Sequence, residues 1–182
     1  MTSELARRSE ELFKEILRRL TELIPASPVV VIGGVALRLH GSNRLTEDLD
    51  IAFKDVKTIL AVLYDLGFKA VSTAQRDKDG NLTEVKLFPG MATAFQCTLD
   101  RKALIFIHDV TQARFDVWLA PTVPYEQLLK NSLPADFDGV PIRVASPEDL
   151  IALKRYALEK NPNRSTDLID IAFLEKKIAK RS

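Results

Sequence analysis

Cysteine is nearly missing from this chain: its 182 residues include one, Cys97. No internal disulfide can form, which suits a reducing, cytoplasmic setting. No apolar run is long enough to span a membrane, so no membrane partner is expected. The opening stretch, "MTSELARRSEELFKEILRRL", is too charged for a secretory leader. An excess of one charge sign is also missing. Lys and Arg number 26 against 25 Asp and Glu, for a net charge of +1. Nothing therefore pulls the whole surface towards nucleic acid or membrane, although a local basic patch stays open. Repeats and low-complexity segments are absent. What is left is a mixed chain, 46% hydrophobic, long enough to bury the core of one compact unit.

Hydrophobic spacing lays out the elements. Leu5, Leu12, Phe13, Ile16, Leu17, Leu20 and Ile24 recur at helical intervals, so 4–24 reads as an amphipathic helix closed by Pro25 and Pro28. "PVVVI" (28–32) reads as a buried strand and "GGVALRLHG" as a short helix. "DLDIAF" (48–53) reads as the next strand, and 55–68 as a helix stopped by Gly67. "KAVST", "TEVKLF", "ATAFQCTL", "ALIFIH" and "ARFDVWL" read as strands, with "DKDGN" and "LDRK" as turns. "YEQLLKNSL" reads as helix and "VPIRVA" as an edge strand. "SPEDLIALKRYALEK" reads as a helix capped by Ser146 with Pro147 at its first position, and "STDLIDIAFLEKKIAK" as a last helix. This order predicts an α/β (α+β) unit: a helix over 1–27 packed on a core over 28–120, with a mainly helical part over 121–182.

The chemistry concentrates in "VVVIGGVALRLHGSNRLTEDLDIAF", residues 29–53. Side chains alternate along a strand, so Asp48 and Asp50 share one face while Leu49, Ile51 and Phe53 take the other. Two such carboxylates repel unless a cation sits between them, and an oxygen-loving divalent ion such as Mg²⁺ would serve. Two solvated acids at a strand start fit the same three residues. Gly33 and Gly34, where strand meets helix, let a ligand approach the backbone and suit an anion such as phosphate. A tight turn explains the pair equally well. In "ARFDVWL", Asp116 lies between Phe115 and Val117 and shares its face with Arg114. It is either an ion-paired or exposed acid, or a third carboxylate on a neighbouring strand. Asp77, Asp79 and Gly80 hint at a calcium loop, but Gln75 and Lys86 stand where its end ligands should be, so a hairpin turn is the better reading. The basic "EKKIAKRS" reads as a solvated tail.

Gly33-Gly34, then Arg44-x-Thr46-x-Asp48-Leu-Asp50-Ile, then a distant apolar-Asp116-apolar strand, resembles the nucleotidyltransferase fold of the DNA polymerase β superfamily. Within it, "GGVALRLHGSNRLTEDLDIAF" and the helical ending "VASPEDLIALK … RSTDLIDIAFL" most resemble small proteins related to AbiEii-type toxin nucleotidyltransferases. The resemblance runs over about residues 28–175. It implies a mixed central sheet flanked by helices, and an enzyme that moves a nucleoside monophosphate from an NTP to a hydroxyl acceptor. It implies that Asp48, Asp50 and Asp116 are catalytic and hold Mg²⁺ in a two-metal site, and that Gly33 and Gly34 cradle the triphosphate. Gly34 stands where the wider superfamily more often has serine, a departure the AbiEii-like branch shares.

The same resemblance makes Arg44 a phosphate clamp and Lys154 a cleft-facing lysine, although each also reads as a solvated residue. Thr46 reads as a turn cap, and His40 with Gly41 as the end of the short helix. Arg164 is a further phosphate candidate, and Asp167 and Asp170 suit the dipole of the last helix. The acceptor is open, with tRNA as the family-level possibility, and an antitoxin protein is an implied partner. The alternative is a silent nucleotide-binding or toxin–antitoxin partner protein. Neither base preference nor oligomeric state is written in these residues.

Overall fold

A computed structural model of the chain describes residues 3–25, 28–44, 46, 48–76, 82–98, 101–119 and 121–180, with the backbone alone at 3, 5, 6 and 76. Among these residues the order is α1 (Ser3–Leu23), β1 (Val30–Ile32), α2 (Gly33–Leu39), β2 (Asp48–Ala52), α3 (Val56–Asp65), β3 (Phe68–Arg76) and β4 (Leu82–Leu87). Then come α4 (Met91–Thr98), β5 (Ala103–His108), β6 (Arg114–Trp118), α5 (Tyr125–Asn131), β7 (Leu133–Phe137), β8 (Val140–Val144), α6 (Pro147–Lys160) and α7 (Ser165–Ala179). The strands form one mixed sheet in the order β4-β3-β5-β6-β2-β1-β8-β7. β2 lies in its middle, antiparallel to β1 and parallel to β6.

The alternation seen in the sequence decides what each sheet face does. Leu49 and Ile51 of β2, Phe115 and Val117 of β6, and Leu104 and Phe106 of β5 are buried on one face. Phe13, Ile16, Leu17 and Leu20 of α1 join the same core, and the Phe13 and Phe115 rings lie 6.4 Å apart. Burial of side chains this size stabilises by roughly 1.5–3 kcal/mol each. The opposite face carries the polar partners of the same strands. Helix α3 starts at Asp55, whose carboxylate accepts from Thr58 N, and the chain turns at Gly67 with φ +82°. Helix α6 starts at Ser146, whose hydroxyl accepts from Asp149 N at 3.1 Å, with Pro147 following. These starts and stops follow the sequence.

Two elements depart from the sequence reading. "ATAFQCTL" was expected as a strand, but its described residues, 92–98, fall in helix α4. Ala94 and Thr98, one helical turn apart, are its buried residues, and α4 packs on α3 and β3. Its aromatic and threonine content suggested a strand, but packing decided otherwise. "VPIRVA" is not an edge. β8 lies between β1, which it joins in parallel, and β7, which takes the edge. The signal for β7 was Asp138-Gly139: both have positive φ, +51° and +86°, as a two-residue hairpin turn requires. The "DKDGN" turn lies outside the described residues, as do parts of "LDRK" and of the basic tail.

Candidate active site

Strand register brings the three acids to one place. In the β2–β6 ladder Asp48 stands opposite Arg114, Asp50 opposite Asp116, and Ala52 opposite Trp118. All six point to the polar face. Ile32, last residue of β1, stands opposite Asp50, so the chain enters the glycine turn directly over that carboxylate. Gly33 has φ +64°, and a Cβ there would lie 2.1 Å from Asp50 Oδ2. A Cβ on Gly34 would lie 2.6 Å from Thr46 Oγ1. Glycine is therefore demanded at both positions by close approach, and at Gly33 by backbone conformation as well. The pair brings bare backbone against Asp50 and Thr46.

Each acid has a distinct setting. Asp48 is partly exposed and accepts from Thr46 Oγ1 at 2.6 Å, so Thr46 orients a carboxylate where the sequence suggested a simple cap. Asp116 is 3% exposed and is held by the Arg114 guanidinium, with Nε 2.8 Å from Oδ1 and Nη2 on Oδ2. Arg114 Nη1 also lies 3.8 Å from Asp48 Oδ2. Burial works against the Arg114 charge, but Asp116, Asp48 and Asp50 outweigh it and hold the guanidinium firmly protonated. Asp50 accepts from Trp118 Nε1 at 3.3 Å. Enough protein surrounds its carboxyl that burial, followed by the charges of Asp116 and Asp48, pushes its pKa from 3.8 up to about 7.

That shift has a sign. The folded pKa exceeds the unfolded one, so the folded state holds the extra proton between about pH 4 and pH 7. Metal-free protein should therefore lose stability as pH rises through that window, by a contribution on the order of 2–4 kcal/mol. Asp50→Asn should abolish this contribution, leaving the variant more stable than the parent at pH 8 and close to it near pH 4. Melting curves of both proteins in chelator across that range test it. Parallel pH profiles for the two would contradict the assignment.

The fit of a divalent cation follows from the same groups. Asp48 and Asp50 offer hard oxygen donors, the glycine turn brings only bare backbone against Asp50, and three carboxylates face one guanidinium. This chemistry suits Mg²⁺ on Asp48 and Asp50. The third acid is committed differently. Arg114 takes both Asp116 oxygens, and among the described residues no group of three acidic, histidine or cysteine side chains is gathered as a ready metal cage.

A second cluster adjoins through the segment between α2 and β2. Lys154 of α6 is 8% exposed, and its Nζ donates to Asp167 Oδ1 at 2.8 Å and Asp170 Oδ2 at 2.6 Å. Arg44 donates to Asp170 Oδ2, and Arg164 to Asp167 Oδ2 at 2.5 Å. Burial pushes Asp167 up, but Lys154 and Arg164 together hold its carboxyl below its ordinary range. In the sequence the helix dipole alone could explain Asp167 and Asp170. Instead both are buried and bind cations from other elements. Three cations against two carboxylates leave one positive charge. It reaches the surface through Arg44 and Arg164, whose side chains are 31% and 44% exposed, whereas Lys154 lies behind them. His40 caps α2, with Nε2 2.8 Å from Ala145 O.

The family model described as nucleotidyl transferase AbiEii toxin, type IV toxin–antitoxin system, matches residues 15–181. Among solved structures, ANT(2")-Ia in complex with adenylyl-2"-tobramycin superposes with a TM-score of 0.60 at 16% identity, over 96% of this chain and 92% of that one. The lincomycin-bound lincosamide antibiotic adenylyltransferase LnuA gives 0.56 at 16% identity, over 91% and 96%. JHP933 from Helicobacter pylori gives 0.52 at 19% identity, over 97% of this chain and 68% of that one. At such identities the structural likeness establishes the fold alone. No curated protein matches.

Proposed function

Because the chain belongs to the AbiEii nucleotidyltransferase toxin family of type IV toxin–antitoxin systems, we propose that it is a Mg²⁺-dependent enzyme that moves a nucleoside monophosphate from an NTP to an acceptor hydroxyl, with tRNA the first acceptor to test and an antitoxin protein its partner. The observation that carries the chemistry is the placement of Asp50 beside Asp116 across the β2–β6 ladder, with the Gly33 backbone against Asp50.

In this reading the glycine turn and Arg44 receive the triphosphate. Lys154 acts at one remove, holding Asp170 where Asp170 holds Arg44. Asp48 and Asp50 hold Mg²⁺, which when bound neutralises phosphate charge as it develops. Asp116 orients the acceptor hydroxyl and takes its proton as the oxygen bonds the α-phosphorus. The bond from that phosphorus to pyrophosphate breaks in the same displacement. Service as ligand to a second ion would require Arg114 to release one Asp116 oxygen. Positioning and charge neutralisation supply most of the acceleration in such transfers.

Nucleotide binding gives the direct test. At a free ligand concentration about 100 times Kd, binding adds about 2.7 kcal/mol, or roughly 5–10 °C in melting temperature for a chain this size. The expected result is a shift of that order with at least one NTP and Mg²⁺, and the loss of its metal-dependent part in Asp50→Asn. No shift with any of the four ribonucleotides or their deoxy forms would end the proposal.

A further inference from the structure

Arg114 brings a positive charge to the three-acid face from within the sheet, on the same strand as one of the acids. Alternation along β6 sets it two residues before Asp116 with both side chains on one face. Its guanidinium donates to both Asp116 oxygens, Nε to Oδ1 at 2.8 Å and Nη2 to Oδ2. Nη1 lies 3.8 Å from Asp48 Oδ2. Across the other ladder stands Ile107, whose side chain offers no acceptor. The Arg114 side chain is 26% exposed and that of Asp116 4%, so little water reaches the pair. A forked contact between guanidinium and carboxylate is among the strongest ionic contacts in proteins, and the guanidinium keeps its charge at every relevant pH. The pair is also local, because two residues of one strand hold the partners together whatever the rest of the site does.

These contacts bear on how many divalent ions the face can take. A two-metal site needs the third acid as a ligand, and Mg²⁺ demands near-ideal oxygen geometry. Both Asp116 oxygens already receive N–H donors. An ion taking one of them would break a contact between shielded partners and strand the guanidinium charge, which is strongly disfavoured. Charge balance points the same way. Fully ionised, Asp48, Asp50 and Asp116 carry three negative charges on neighbouring strand positions. Arg114 meets one of them, and a single divalent ion on Asp48 and Asp50 meets the other two. A second ion would then find no remaining carboxylate among the three.

We propose that Arg114 is a positioning residue that stands in for the second ion of a two-metal site, so that the protein binds one divalent ion with its nucleotide, on Asp48 and Asp50. The assignment rests on the transferase reading and fixes its metal requirement. Carboxylate oxygens have two lone-pair sites each, so Asp116 held by Arg114 can still accept from an acceptor hydroxyl. Mn²⁺ is the probe. The protein is dialysed against Mn²⁺ and the α,β-methylene analogue of the NTP that raises its melting temperature, and bound ions are counted per bound nucleotide. Wild type should bind one, with the electron paramagnetic resonance spectrum of an isolated ion. Arg114→Met uncovers Asp116 and should bind two, with the spin-coupled spectrum of ions roughly 3.5–4 Å apart. Loss of a structural contact alone would not add an ion. If Arg114→Met does not fold, Asp116→Asn decides, because its count should stay at one when Asp116 is no ligand. Two coupled ions in wild type overturn the assignment. So does a folded Arg114→Met that still binds one, or a count that drops in Asp116→Asn. Those results leave the transferase reading standing, whereas a wild type that binds neither nucleotide nor Mn²⁺ would end both.

Discussion

Lys154→Met is expected to lower the melting temperature by roughly 10 °C at pH 7, the largest stability loss of any single change near the site. Breaking a buried charge pair by removing one partner costs about 3–5 kcal/mol, because the other charge stays buried without compensation. Here two carboxylates are stranded, and Asp167 and Asp170 are 1% and 4% exposed. Each keeps one arginine, Arg164 or Arg44, so the lower end of the range applies. A loss of about 3 kcal/mol corresponds to roughly 6–12 °C for a chain this size. The deficit should shrink towards pH 4. Without the lysine Asp167 loses the first of the two partners that hold its pKa down, takes up a proton more readily in acid, and sheds its buried charge. Thermal melts of the variant and parent at pH 7 and pH 4 make the comparison. A change under about 1 kcal/mol at pH 7 would show that the lysine is not what secures these acids.

Asp116→Asn should reduce transfer by at least about 10²–10³-fold, the size expected when one preorganised group aimed at the transition state is lost. Affinity for NTP–Mg²⁺ should fall less than about tenfold, since the proposed reading assigns the phosphates to the glycine turn and Arg44, and Mg²⁺ to the Asp48–Asp50 pair. A fall in kcat with nearly constant binding means that the lost interaction was made mainly in the transition state. Asparagine still accepts a hydrogen bond from Arg114, and Arg114 still has Asp48 within 3.8 Å, so the sheet should survive. Asp116→Glu keeps the charge but moves it, and should also be slow. The assay uses α-labelled NTPs with pooled tRNA, total protein and small hydroxyl compounds. If wild type binds NTP yet labels nothing, and Asp116→Asn binds identically, the silent binding-partner reading replaces the enzyme.

The parts legible in the sequence were those governed by short periods. A two-residue repeat put Asp48 with Asp50 and Arg114 with Asp116, and a 3.6-residue repeat gave α1 its buried face. That β2 and β6 are neighbours was not written in either strand; the resemblance supplied it. The sequence also allowed Asp116 two readings, ion pair or third carboxylate, and the Arg114 contact shows that the first is physically real. The Lys154 cluster was hidden because its members meet only when α6 packs on α7 and the 42–46 segment reaches α7. The acids at 167 and 170 had a sufficient local explanation, which masked the distant one. Helix α4 was lost to composition, although Ala94 and Thr98 stand one turn apart. β7 was missed despite an Asp-Gly turn signal at 138–139; its Pro134 is tolerated because β7 is an edge strand.

The pairing of β1 with β8 bears on synthesis. β1 precedes the glycine turn, yet its outer partner, at Arg143 and Val144, is translated more than a hundred residues later. Arg44 waits longer still, for Asp170. At roughly 5–20 residues per second, a nascent chain displays the glycine turn and the Asp48–Asp50 pair on the order of ten seconds before it can anchor its arginine. Distant pairings also fold late, because loop closure comes before their reward. A half-made chain on the ribosome, surrounded by RNA, thus holds the acids without the finished site around them. The anchor of Arg44 is therefore complete only once the C-terminal helices have emerged and docked.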